Sequence, residues 1–585
     1  MKTIFANTPE ELYQAIEDTA DIAGPVEIVL KRDTVYELKE PVRIVRDNIS
    51  LKGKNTVFKG SKRVFLDQED GIINIRLGEC GIAEMKDFSQ GPFADFWHEY
   101  AIPKPYMDEC GMGTMLFYED KLLPLSRYPK KGFMKVRSFT DQEKAEFVPE
   151  DKRIFSWDGY ENLLLVGYWQ WEWANQRCRV KSVDDDKKTI SLNEPYHCFG
   201  YKDGAHYYAL NVKDEISSRG EWVKDVKSNT VTLYPRKKQA YVDITVAGNG
   251  IEAQGVENFN MQGITIQEYE KNGIKITDSK NVKIDECVIK NTGGWGIIAD
   301  HCENVSIQRT SVQDTGGGGI AISGGDRKRL IPSGNLIKGC TISRVAGWHR
   351  TYTAAIQVCG VGGRVSGCKI CDVPHFAIVY HGNNHMIENN EISGACYEAN
   401  DAGAIYSGAD WTCRGNIIRR NYFHDMNGFQ NKGCYGIYFD DYVSSAEVYD
   451  NLFVNVHQGV LIGGGRDYKI YGNFFYGGVS AVLIDDRTNV RNDAVMNKLF
   501  QKAKMLDYKS DIWRKAYPEL YDIENQNYGC EANNQIFQNK AVNCDESKNF
   551  VYLKHGERFE FETEAEFCRM CNGSECMQHT GEEQA

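Results

Sequence analysis

The sequence predicts an all-β solenoid, a parallel β-helix, and three observations carry that expectation. A short phrase recurs through the middle of the chain: a hydrophobic residue, two spacers, a Cys, Thr or Asn, one spacer, another hydrophobic residue. It reads Ile284–Cys287–Ile289, Ile307–Thr310–Val312, Ile337–Cys340–Ile342, Val365–Cys368–Ile370, Ile387–Asn390–Ile392, Ile418–Asn421–Phe423, Val448–Asn451–Phe453 and Ile470–Asn473–Phe475. Its central positions are 23, 30, 28, 22, 31, 30 and 22 residues apart, so the short steps are bare coils and the long ones carry loops. The segments are also rich in Val, Ile and Gly, as stacked β-coils require. Coils stacked at a strand spacing of about 4.8 Å align equivalent residues in columns.

The elements follow in order. In residues 1–75, EELYQAIED after Thr8 and Pro9 predicts a short capping helix, and VEIVL, PVRIV and NISLKGK predict a first coil. A helix over an open coil end shields an edge strand from pairing with other chains. Over 76–240 the phrase disappears, while TMLFYEDKLLPLSRYP, NLLLVGYWQWEWA, TISLNEP and TVTLYP remain strand-like, which predicts an inserted β-rich module. Trp169, Trp171 and Trp173 alternate there, so one strand is expected to put all three on one face. That face reads as packing or docking surface, with a sugar-stacking wall as the alternative. Residues 241–489 form the main β-helix. Residues 490–585 hold a helical, aromatic insertion, a last ladder step at Ile536–Asn539–Ala541, and a tail. In the tail, Cys568, Cys571, Cys576 and His579 have C-x2-C-x4-C-x2-H spacing, which suits tetrahedral zinc. The loops are unusually tight for that, so these groups are read as free and no metal or other cofactor is expected.

A net charge of −13 argues against nucleic acid or an anionic membrane as partner, and weakly against a polyanionic substrate. The N-terminal stretch MKTIFANTPEELYQAIEDTA has one Lys and no apolar run, so it does not read as a secretory signal. No 18-residue apolar stretch occurs. A cytoplasmic location is therefore expected, with the 18 Cys mostly reduced. Cys287, Cys340 and Cys368 are expected to pack inside coils as small apolar residues. Oligomeric state is left open.

Each coil has a second strand: GIIAD, GIAIS, AIQVC, AIVYH, AIYSG, GIYFD, GVLIG and AVLID. By period-two alternation the third and fifth residues face outward. The outward columns gather His381, Tyr406, Tyr438 and Asp440, with Asp441 adjacent. Flanking connections supply Glu398 and Asp401 (EANDAGA), Asp410 and Trp411 (SGADW), Arg466 (GGGRD), and Trp348 with His349. Gly403, Gly408, Gly463 and Gly464 leave room. Acids beside aromatics suit a carbohydrate: rings stack on sugar C–H faces while carboxylates bind hydroxyls and move protons. Asp401 and Asp440 lie on adjacent coils, so their carboxyls can converge within the ~5–10 Å of glycosidase pairs.

The runs ANDAGAIYSGADWTCRGNIIRRNYFHD, GIYFDDYVSSAEVYDNLF and GVLIGGGRDYKIYGNFF, with LFYEDKLLPLSRYP, GYWQWEWA and YYALNVKDEISSRGEW before them, resemble the right-handed parallel β-helix glycoside hydrolases of family 141 and relatives. The resemblance covers roughly residues 5–545. It implies a hydrolase with two essential Asp residues on neighbouring coils, carried by motif position onto Asp401 and Asp440. Family members include an α-L-fucosidase and a xylanase, so the sugar stays open. Where relatives have Gly-Arg-Asp-Trp, this chain has Gly408-Ala409-Asp410-Trp411, which removes an Arg fork from that subsite. Two other readings stand beside hydrolysis: a polysaccharide lyase or uronate epimerase on the same scaffold, and a non-catalytic glycan-binding solenoid.

Overall fold

The computed structural model describes residues 1–66, 71–88, 111–488, 491–526, 531–544 and 549–572. Two sheets of parallel strands run the length of the solenoid, one of 13 strands and one of 23. The larger takes two short strands from each coil, one on either side of the Cys/Thr/Asn corner. Its register is the expected one, with Ile284 opposite Ile307, then Ile337, Val365 and Ile387. These apolar columns are buried and form the core.

The corner residues form a ladder of their own. Asn421 Oδ1 accepts from the Asn390 main-chain N–H (3.0 Å) and from Asn390 Nδ2 (2.9 Å), while Asn421 Nδ2 donates to Ile387 O (3.0 Å). The pattern repeats from Asn421 to Asn451, Asn473 and Asn539. A sharp bend inside a core strands main-chain polar groups, and these side chains satisfy them. Earlier coils use Cys287, Cys340 and Cys368 at the same corner, all buried thiols.

The inserted module interrupts the solenoid without breaking its register. Ile49–Lys59 pairs in parallel with Phe259–Tyr269, Leu51 opposite Met261 and Phe58 opposite Ile266. At the root of the insertion, Ser61–Phe65 and Tyr241–Thr245 pair antiparallel. Beyond it lies a seven-stranded antiparallel sheet with a separate core that includes Phe147, Leu165, Trp169 and Tyr207. The strand expected to carry three tryptophans on one face ends at Tyr168. Trp169 turns into the module core, whereas Trp171 and Trp173 stack in the following loop, 6.1 Å apart and 6° from parallel.

Both ends are covered. Helix Pro9–Asp18 starts at Thr8, whose Oγ1 accepts from the Glu11 N–H at 3.2 Å, and it buries Leu12, Ala15 and Ile16. At the other end Phe550–Lys554 joins the 13-stranded sheet and pairs antiparallel with Glu557–Phe561. Helix Glu564–Asn572 then packs Phe567 and Cys568 onto the core. Cys568 Sγ donates to Ile536 O at 3.0 Å. Cys576 and His579 lie outside the described residues, as does the Cys571 side chain, so the candidate zinc spacing has no structural counterpart to describe. A second insertion, helices Asp493–Met505 and Asp511–Ala516, packs Met496, Leu499 and Trp513 against Ala409, Trp411 and Tyr442. Among the described residues no helix is long and apolar enough to cross a membrane.

Candidate active site

The outer face of the 13-stranded sheet carries the candidate chemistry. Along strands Gly403–Gly408 and Tyr435–Asp440, Tyr406 stands opposite Tyr438 and Gly408 opposite Asp440. Alternation buries Ile405, Ser407, Ile437 and Phe439 on the other side. Gly403 is needed for this packing: a Cβ there would lie 2.5 Å from the Tyr438 Cβ.

Asp401 reaches the same place from the connection before Gly403–Gly408. Its φ of 51° is left-handed, which Asp tolerates better than most residues. Tyr438 Oη donates to Asp401 Oδ1 at 2.8 Å. Arg487 Nη2 donates both to Tyr438 Oη (2.8 Å) and to Asp440 Oδ1 (2.7 Å). Three consecutive hydrogen bonds thus join the two carboxyl groups and hold them within about 8 Å of each other. Glycosidase pairs fall at about 5 to 9.5 Å. Asp440 also accepts from Tyr406 Oη at Oδ2 (3.0 Å) and from the Asp441 main-chain N–H at Oδ1 (2.9 Å).

The two acids sit in different electrostatic surroundings. Asp401 is exposed to solvent as a residue, with its carboxyl bonded to Tyr438 and near Arg487 and Asp440. Desolvation and then the Asp440 charge raise its pKa, against the opposing pull of Tyr438 and Arg487. Asp440 receives an ion pair from Arg487 and hydrogen bonds from Tyr406 and the Asp441 main chain. Burial, reinforced by the acids, pushes the Tyr438 phenol well up, so it stays a donor. Arg487 stays charged: burial opposes its charge, but Asp440 and its other neighbours outweigh that.

The other residues read from the sequence divide into two groups. Glu398 and Trp348 line a separate cavity between the module and the solenoid loops. Glu398 there pairs with Arg350 and accepts from Tyr168 Oη at 2.9 Å. His349 sits beside it, its Nδ1 3.0 Å from Arg177 Nη2. Trp348 is buried and stacks on Phe88. The second group is packed under the helical insertion and away from the Asp pair. His381 faces outward as parity requires, but it is covered, and burial lowers its pKa to about 3. Asp410 is buried against Arg327 Nη1 at 3.2 Å; Arg327 and Lys502 hold it ionised although burial opposes that. Trp411 is a core residue of the insertion, and Arg466 donates to Gln526 O (2.9 Å) and Oε1 (2.8 Å). These four serve packing, which corrects the expectation that they bind substrate. Asp441 contributes through its main chain.

Sequence reasoning missed Arg487, Tyr435 and Arg350. Arg466 was the cation it assigned to the site, whereas Arg487 is the one in contact with both Tyr438 and Asp440. Its signal was present: Arg487 lies two residues past AVLID, one coil beyond the GVLIG strand. Tyr435 packs on Tyr438 with ring centres 4.8 Å apart.

Comparisons with known proteins agree with this fold. A family model described as a right handed beta helix region matches residues 223–352. No curated protein sequence matches the chain. Among solved structures, one titled "Glycoside hydrolase" is similar over 81% of this chain and 95% of its own, at 14% identity and a TM-score of 0.62. XylC in complex with xylose is matched over 82% of this chain and 70% of its own, at 11% identity and a TM-score of 0.36. A hyperthermoactive exopolygalacturonase from Thermotoga maritima is matched over 80% and 91%, at 12% identity and a TM-score of 0.32. The first likeness places this chain among right-handed parallel β-helices with the fold seen in a glycoside hydrolase; the other two are too low to carry an argument.

Proposed function

We propose that this protein is a glycoside hydrolase acting on oligosaccharides or small glycosides, with Asp401 as general acid and Asp440 as nucleophile or general base. The observation that carries the reading is the bonded link Asp401–Tyr438–Arg487–Asp440, which joins two carboxyls while Arg487 pairs directly with Asp440 alone. A raised pKa keeps a proton on Asp401 to a higher pH than an ordinary Asp, ready for the glycosidic oxygen as its bond to the anomeric carbon breaks. Asp440, held by Arg487 and Tyr406, presents negative charge to the cation-like anomeric centre or takes a proton from the attacking water. The likeness of the sequence motifs to family 141 hydrolases supports the same pair.

A panel of aryl glycosides and plant and host oligosaccharides, with product anomers followed by NMR, tests the reading. A reducing sugar should appear with wild type. Asp401→Asn and Asp440→Asn should each lower kcat by about 10²–10⁴ or more on unactivated substrates while the circular dichroism stays native. An unsaturated product, or glycan binding with no turnover across the panel, would overturn it.

A further inference from the structure

The cavity between the β module and the solenoid loops has a chemistry of its own. It has a volume of about 450 Å³ and is lined by Arg127, Arg177, Arg350, Tyr208, Trp348 and Glu398, among others. Ligand pockets run from about 300 to 1,000 Å³, so the space suits a sugar ring or two. Arg350 is answered by Glu398. Arg177 donates to Trp348 O at 2.7 Å and lies 4.9 Å from the Trp348 ring. Arg127 differs. Its Nη2 donates to Gly132 O at 2.6 Å and its guanidinium lies 3.8 Å over the Tyr208 ring, but among the described residues no carboxylate pairs with it. Its Nε is enclosed and, among the described residues, has no acceptor.

A cavity-lining guanidinium without a carboxylate partner leaves its fork of donors to a ligand, and a planar carboxylate is the group that fork fits. Phe133, Tyr208 and Trp348 supply the aromatic surface that sugar C–H faces pack against. Glu398 lies three residues before Asp401 on one connection, a reach of about 10–11 Å. From these we propose that the cavity is a subsite for a carboxylate-bearing sugar ring, a uronic acid residue of the substrate. Calling it a subsite rests on the hydrolase reading; the binding itself does not.

Calorimetric titration of the full chain tests it, with sodium D-glucuronate and D-galacturonate as probes, D-glucose and D-galactose as neutral controls, and inorganic sulfate as the anion control. Wild type and Asp440→Asn should bind at least one uronate about tenfold tighter than its neutral counterpart. Arg127→Gln should remove that preference. Arg127→Lys, which keeps the charge and loses the fork, should retain only part of it, and it serves if the Gln variant misfolds. Uronate and neutral sugar binding alike, an Arg127→Gln variant with the preference intact, or sulfate binding as tightly as uronate overturns the proposal. Uronate binding without turnover of any glycoside sinks the hydrolase reading and leaves the site; turnover with no uronate binding does the reverse.

Discussion

At the scale of residues, Tyr438 and Arg487 link two neighbouring acids. Asp401 has a pKa raised in the folded state, so the folded chain holds its proton more tightly than the unfolded chain does. Its contribution to stability is therefore present at low pH and lost as pH rises from the unfolded value through the raised one. At pH 7 the ionised group opposes folding, and Asp401→Asn should melt at or above the wild-type temperature. In scanning calorimetry that advantage should vanish below about pH 4, where Asp401 is protonated in both states. A lower melting temperature for Asp401→Asn at pH 7 would contradict the raised pKa. Arg487 pulls Asp401 downward, so Arg487→Gln should slow turnover and move the alkaline limb of the pH–rate profile upward. Gly463 tests the same contact at a distance. A Cβ there would meet Arg487 Nε at 2.8 Å, so Gly463→Ala should lower kcat by displacing the guanidinium, with little change in melting temperature. That Asp401 and Asp440 come together was legible because Asp440 closes a strand of known register and Asp401 lies on the connection leading into the strand beside it. Arg487 was not, since it lies past the aligned strand. His381 and Asp410 misled because outward parity does not tell a bare face from a covered one.

At the scale of elements, the corner ladder sets the stacking of coils. Each Asn accepts from a main-chain N–H and donates to a main-chain carbonyl, both on the preceding coil. Asn421→Ala would orphan the Asn390 N–H and Ile387 O and should cost about 1–3 kcal/mol per group, read from chemical denaturation. A neutral result would show that water replaces the side chain. The recurring phrase identified this ladder because the bend imposes the same demand in every coil. The helical insertion gave weaker clues. Its helices are visible in the sequence, but where they dock depends on Trp411, Arg466 and Asp410, which read equally well as substrate ligands. The tryptophan run failed for a local reason: the strand stops at Tyr168, and alternation means nothing in a loop.

At the scale of the molecule, the solenoid is a ruler to which two insertions are attached. The β module and the helical insertion each cover part of the outer face of the 13-stranded sheet, and the Asp pair lies on that face. Periodicity made the ruler legible from the sequence alone, down to the column in which Tyr406 faces Tyr438 and Tyr438 faces Leu461. The insertions have no period, so their contacts, and the arginine-lined cavity beneath the module, came only with coordinates. The proposed reaction splits one job between two carboxyls. The leaving-group dependence of turnover measures that split most directly. Asp401→Asn should keep kcat/KM near wild type on a dinitrophenyl glycoside, whose leaving group departs without a proton, and lose about 10²–10⁴ in kcat/KM on the matching alkyl glycoside, whichever stereochemical course is followed; Asp440→Asn should lose both. An Asp401→Asn variant whose kcat/KM is impaired equally on the two substrates, or on neither, would contradict it.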